Sequence, residues 1–519
     1  MPLVACVFFV CATMAESSDN SGGGNSQSQV IQVPEPQPHP VMEQLPDVEY
    51  CINSPPPWPH ALLLGFQHYI LTLGMTVLIP TTIVPEMGGG HAEKAKVIQN
   101  LLFVSGLSTL LQTWFGTRLP TVVVGSYSYI IPAMSIIHAK RYTKYTDPYE
   151  RFTHTIRGIQ GALIISSIFH VCMGFLGIWR FAVRFLSPLS VVPFVTFTGL
   201  GLYHLGFPMY LNRFISTKRL IYERYGLLFS IASAWLLAQL LTSSTAYNNK
   251  PESTQNSCRT DRSGLISASE WFHIPFIPFP WGFPTFNFGE ALAMIAASFV
   301  TLFESTGTFF AAARYGSGTP VPPHIICRGT GWVGVASMVN GFLGSVTGCT
   351  ASVENAGLLA LTKVGSRRVI QISAGFMVFF SIAGKFGAVL ASIPLPIMAA
   401  MNCLFFGYFC NLNSFRIKFV LGLSFFLGIS IPQYFVEYFH VKHHHGWFND
   451  ILNVFFMSHT TVAVLVAFIL DITLSRDDDE VRKDIGLQWW EKFRVYSADG
   501  RNADFYKLPC RLNEFFPAL

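Results

Sequence analysis

The sequence predicts an all-α polytopic membrane protein, and three observations carry that prediction. Of 519 residues, 51% are hydrophobic and only 12% charged, where soluble domains carry about 25% charged residues. Mean hydropathy is +0.41, and 47 Phe and 42 Gly fit lipid-facing surfaces and close helix packing. Apolar runs of roughly 20 residues, the length that crosses hydrocarbon as a helix, recur along the chain. Third, two runs start rich in β-branched residues, Gly and Ser and turn helical late: 121–138 (T-V-V-V-G-S-Y-S-Y-I-I-P) and 346–362 (V-T-G-C-T-A-S-V-E-N-A-G).

The chain opens on a short apolar stretch, Met1–Ala12, that lacks the basic lead of a signal sequence. Met14 is an alternative start. Residues 1–57 read as a disordered cytoplasmic tail, since Ser, Gly, Gln and Pro cannot build a core. Spans are expected near 60–85, 97–117, 121–138, 158–178, 186–205, 222–243, 288–312, 329–346, 350–362, 368–390, 392–408, 416–438 and 452–472. The stretch 206–217 is too short and polar to cross unaided. The transmembrane domain is thus 58–472, followed by a cytoplasmic tail, 473–519.

With the N-terminus inside, Arg180, Arg184, Arg314, Arg328, Lys363, Arg367, Arg368, Arg416, Lys418 and Arg476 fall on the inner side, as the positive-inside rule asks. The loop 140–157 runs against that rule. The long loop 244–287, with Cys258, is expected outside. Backbone as irregular as the two late-turning runs is tolerated at membrane depth only where it lines a cavity or is buried in protein. One lies in each half of the chain, the sequence signature of an inverted-repeat transporter site. The plain alternative is a pair of Gly-rich packing helices.

Acids at bilayer depth are expensive and mark function by default. Glu304 stands in F-E-S-T-G-T, with Thr308 one turn on and on the same helical face. A carboxyl with a neighbouring hydroxyl can accept N–H donors from a flat heterocycle and can carry a proton. Glu354 and Asn355 begin the half-helix of the second broken run, whose N-terminal amides suit substrate carbonyl oxygens. Glu354 capping its own helix is the simpler role. Tyr127 could stack on a planar ring or be a core aromatic. Gln67 and His68 lie in the first span, where His68 bonds across to another span or acts as a proton relay. His170 reads as a core histidine, and Lys385 as a paired or snorkelling lysine.

Other chemistries are excluded. Ten Cys show no CxxC or Cys/His spacing, and the run His443–His445 reads as a solvated loop, so no metal is expected. Gly88–Gly90 lack the Lys and Ser/Thr of a phosphate loop. No nucleophile–base pair marks an enzyme, and no basic block marks a nucleic-acid partner. No cofactor is expected.

These residues together resemble the nucleobase–ascorbate transporter family, in its plant-type form, over about residues 36–519. Its signature E/Q-N-x-G-x-x-x-x-T-R/K matches Glu354, Asn355, Gly357, Thr362 and Lys363. Gln67-His68 matches the Q-H pair, Ser126-Tyr127-Ser128-Tyr129 the S-F-x-F pattern, and Glu304 the eighth-span acid. The resemblance implies 14 spans (13 if 206–217 fails to cross) in two inverted seven-span repeats. It implies a core half including 60–178 and 288–390 and a gate half including 186–243 and 392–472.

It further implies a small-molecule site between the strands of spans three and ten. Glu304 and Glu354 hold a base's N–H edges, backbone near Tyr127 and Val353 gives amides, and the Tyr127 ring stacks. The implied function is plasma-membrane secondary transport of a xanthine, uric acid or uracil-type base with protons, by an elevator motion in a homodimer. Ascorbate carriers of the family have Pro where Glu354 stands, but sodium- or proton-coupled ascorbate transport stays open. Two departures matter. Asn340 takes a position where many relatives have Asp, which weakens proton coupling. Segments near 206–217 and 407–411 are shortened, which leaves open a transport-inactive form acting through dimerisation.

Overall fold

The computed structural model describes residues 48–185, 220–246, 258–260, 265–394, 458–473 and 501–509, with 512–513 and scattered positions between 397 and 456. The expected spans 186–205, 392–408 and most of 416–438, the stretch 206–217, the shortening at 407–411 and the run His443–His445 lie outside the described residues.

The chain is mostly helical. The first helices are α1 (Trp58–Glu86) and α2 (His91–Trp114), followed by strand β1 (Val123–Gly125), a 3-10 turn (Tyr127–Tyr129) and half-helix α3 (Ile130–Ile137). Next come α4 (Lys140–Thr143), α5 (Pro148–Phe175), α6 (Trp179–Phe185), α7 (Leu220–Ser243) and α8 (Leu265–Ala268). The second half holds α9 (Phe288–Tyr315), α10 (Pro323–Phe342), strand β2 (Cys349–Ala351) and half-helix α11 (Val353–Thr362). The chain continues with α12 (Arg367–Ile382), α13 (Gly384–Ala391), α14 (His459–Thr473) and α15 (Arg501–Tyr506). Among the described helices, α1, α5 and α9 are each long and apolar enough to cross a bilayer.

Both broken runs fold as expected, each an extended piece that turns into a half-helix at a serine. β1 and β2 pair antiparallel, Val123 with Ala351, Val124 with Thr350 and Gly125 with Cys349. The ladder continues outward, Ser352 N donating to Val122 O and Ser126 N to Gly348 O. A two-stranded ribbon in a greasy interior leaves edge groups that no water can satisfy. Hydroxyls from the surrounding helices take them. Val123 N donates to Thr109 of α2 (2.9 Å), Ala351 N to Ser305 of α9 (3.2 Å) and Cys349 N to Ser337 of α10 (2.8 Å).

Around the ribbon α10 packs antiparallel on α5, and α12 packs on both α1 and α2. Small residues set the α5–α10 distance: a Cβ on Gly174 would strike the Gly331 backbone, and one on Gly334 would meet Val171 N at 2.7 Å. Gly348 faces the Tyr129 ring just as closely, which lets the ring cross beneath β2.

The expected single span 368–390 is instead two helices bent by 114°. The loop before α9 takes over backbone groups at the joint: His273 N donates to Ile382 O, and Gly384 N donates to Trp271 O. A helix ladder opened this way kinks. Lys385, at the kink, donates to Ile266 O and stands over the Trp271 ring.

Another difference concerns the tail expected over 1–57. Its end is docked: Tyr50 bridges Val364, and Ile52 is buried with its N–H on Gly316 O. Arg118, Arg328, Lys363, Arg367 and Arg368 gather with this segment at one end of the bundle through mutual contacts. The contrary loop 140–157 sits at the other end. There two of its basic residues are matched, Arg141 pairing with Glu290 at 3.1 Å and Arg157 donating to Phe283 O.

Candidate functional site

At each end of the ribbon a serine closes a strand and opens a helix. Ser126 follows β1, and its hydroxyl oxygen accepts from Ser128 N (3.2 Å). Ser352 follows β2, and its hydroxyl oxygen accepts from Asn355 N (3.2 Å). Each hydroxyl then donates its own hydrogen to a carboxylate. Ser126 Oγ donates to Glu304 Oε2 (3.0 Å), and Ser352 Oγ donates to Glu354 Oε2 (2.7 Å). The cap of α11 is therefore Ser352, and Glu354 is bound to the cap rather than acting as it.

The two acids belong to one place. Glu304 comes from α9, whose next residues grip β2: Ser305 bonds Thr350 Oγ1 and Ala351 N, and Thr308 donates to Ala351 O (3.1 Å). Glu354 stands three residues beyond Ala351. Both carboxyls are buried, 3% and 4% exposed. Glu304 is thus tethered to the first strand's serine while its own helix holds the second strand.

Other expected residues support this frame. His68 Nδ1 bonds Asn355 Oδ1 at 2.8 Å, and Asn355 Nδ2 donates to Ser352 Oγ (2.9 Å) and Thr72 Oγ1 (3.3 Å). His68 is a cross-span brace that orients the residue beside Glu354. Asn340 Nδ2 donates to Thr347 O and Cys349 Sγ, both at 3.1 Å, so it holds β2 from behind. Thr347 Oγ1 in turn donates to Ser126 O (2.7 Å). Tyr127 opens the half-helix beside Ser126 and is partly buried. Val353 opens α11 and is buried.

Some expected residues are not brought to the site. Thr362 donates back to Leu358 O, and Lys363 ends α11 in the left-handed conformation with its carbonyl accepting from Glu49 N. Nine and ten residues beyond Val353, at about 1.5 Å each, they stand roughly 14–15 Å away along the helix. Their role is to end α11 and join it to the N-terminal segment. Gln67 is buried beside His68, and its amide carries no hydrogen bond among the described residues. His170 is buried, as a core histidine would be.

Ser352, Ser305, Ser337 and Thr347 went unremarked in the sequence. The signal was present, since serine directly after a short β-branched run and before E-N is an N-cap pattern.

Chemically, the frame offers two carboxyl groups and two helix N-termini at one crossing. A planar solute with N–H groups on one side and carbonyl oxygens on another matches both kinds of partner.

A family model described as "Permease family" (xanthine/uracil permease type) matches residues 59–222 and 205–437. "Putative nucleobase-ascorbate transporter 10" of Arabidopsis thaliana is 57% identical over 540 residues, covering 96% of this chain and 99% of that protein. Nucleobase-ascorbate transporter 7 of the same plant is 53% identical, covering 93% and 96%. Nucleobase-ascorbate transporter LPE1 of Zea mays is 51% identical, covering 93% and 98%. Among solved structures, the transmembrane domain of a cyanobacterium bicarbonate transporter, BicA, is 13% identical, with a TM-score of 0.43 over 79% of this chain and 96% of that one.

Proposed function

Since this chain belongs to the nucleobase–ascorbate transporter family of permeases, a multi-pass membrane transporter family, we propose that it carries a nucleobase of the xanthine, uric acid or uracil class together with protons. The observation behind this reading is the pair of buried carboxyls, Glu304 and Glu354, each fixed by the serine that ends one strand of the same ribbon. Glu304 and Glu354 accept the base's N–H groups, with Thr308 and Asn355 holding the two acids' surroundings in place. The amides leading α11 at Val353, and those after Ser126, face carbonyl oxygens. Tyr127 stacks on the ring. A bare anion such as ascorbate meets two acids here, which favours a neutral base.

The helices that carry the ribbon form the moving core, and the segments 186–243 and 392–472 form the gate of a 14-span inverted repeat. The core shifts as an elevator between the two sides of the plasma membrane, and a homodimer supplies the fixed wall. The basic end of the bundle faces the cytoplasm. Proton-coupled co-transport closes the cycle, because an acid that crosses hydrocarbon with its cargo does so at least cost when neutral.

A second reading has its own support. The family match falls in two pieces meeting at 205–222, and the alignment with the Arabidopsis relative runs over 540 positions, more than the chain's 519. That relative therefore has residues that this chain lacks, and we place the loss in the gate half. A chain short of a crossing would act by dimerising with intact relatives.

Purified chain in liposomes separates the readings. Uptake of labelled xanthine or uracil that follows an imposed pH gradient supports the symporter. Uptake of ascorbate that collapses without sodium supports the ascorbate alternative. No flux of any of them, with the protein folded, supports the inactive form.

A further inference from the structure

The two tails of the chain meet at the basic end of the bundle, on the loops that enter and leave the ribbon. The loop 115–122 leads from α2 into β1. The loop 363–366 leads out of α11, and 316–322 joins α9 to α10. Helix α15, well past the last apolar helix in the chain, bonds directly to the 316–322 loop. Tyr506 is fully buried, and its hydroxyl donates to Thr319 O at 2.6 Å. Thr319 Oγ1 donates to Asn502 Oδ1, also at 2.6 Å.

Two arginines fasten the rest. Arg328, 1% exposed, donates from Nε to Gly116 O (2.7 Å) and from Nη2 to Tyr506 O (3.1 Å). Arg367 donates from Nε to Arg118 O (2.7 Å) and from Nη2 to Phe505 O (3.2 Å). Each guanidinium fork joins a carbonyl of the loop entering β1 to a carbonyl of the C-terminal segment. The N-terminal segment uses the same anchor, for Arg367 N donates to Ile52 O while Ile52 packs on Gly316 and Gly318.

We infer that residues 501–509 are an intramolecular clamp, seated on the basic end of the core and holding the loop into β1 and the start of α12 in fixed relation. The clamp is specific because its anchors are carbonyl oxygens and one phenol, read by two forked donors and one threonine. The ribbon's register depends on those loops, so the distant tail sets the stiffness of the site. Whatever binds or modifies the tail acts on the site through this seat.

Hydrogen exchange tests the clamp without relying on transport. Full-length chain and chain ending at residue 500 are compared, the latter with and without a synthetic peptide of residues 501–513. The clamp predicts about tenfold faster exchange at 115–125 and 349–367 in the shortened chain. It predicts recovery with the peptide and none with a Tyr506→Ala peptide. Unchanged exchange in the shortened chain overturns it, as does recovery with the Tyr506→Ala peptide. If the shortened chain does not fold, full-length Tyr506→Phe and Asn502→Ala each remove one bond. Faster exchange in those loops then supports the clamp, and unchanged exchange overturns it.

Discussion

At the scale of single residues, two serines decide what the acids can do. A hydroxyl that caps a helix with its oxygen and donates to a carboxylate with its hydrogen fixes that carboxylate on a rigid strand end. Ser352→Ala removes a bond to a charged group, worth about 1.5–3 kcal/mol. The expected result is a KM for the base roughly tenfold higher, read in an uptake assay, with expression unchanged. Glu304→Gln is expected to abolish uptake, because an amide presents an N–H where the base presents its own; retained uptake would count against Glu304 as the acceptor. The acids were legible in the sequence because charge in an apolar run stands out. The serines could be read as helix caps, but not their bonds to the acids, because those depend on which helix comes alongside. The opposite error concerned Thr362 and Lys363. Their place in a motif suggested the site, yet one turn-ending backbone conformation puts them at the far end of α11.

At the scale of elements, the ribbon survives in an apolar interior because hydroxyls on three different helices satisfy its edges. The two broken runs were readable from their change of character, β-branched and small first, helical later. The pairing between them was not, because residues 123–125 and 349–351 are far apart in sequence and a three-residue strand has no period to read. The kink at Ala383 was equally hidden, since it comes from backbone groups borrowed by the loop at 271–273. Close helix contact makes its own prediction. Gly334→Leu wedges α10 away from Val171 of α5, and overpacking of this kind costs about 1–3 kcal/mol. Thermal unfolding in detergent is expected at a lower temperature, with Gly375→Ala, where nothing stands within 4 Å, as a control that leaves it unchanged.

At the scale of the whole molecule, the account is a core carrying one polar crossing, tied at its basic end by both tails. Its composition announced a membrane protein. The docked end of the N-terminal tail was hidden by its polar, Pro-rich neighbours, which read as disordered throughout. If base and proton travel together, uptake into cells rises as the outer medium is acidified and is indifferent to replacing sodium with choline. Uptake that requires sodium and ignores pH would assign the coupling ion differently.

The most direct test of the central claim is a cryo-electron microscopy structure of the chain with xanthine bound. The account predicts one base at the ribbon crossing, with oxygens of both Glu304 and Glu354 within hydrogen-bond distance of its N–H groups. A base seated elsewhere, or held by one acid while the other faces a separate compartment, would contradict it.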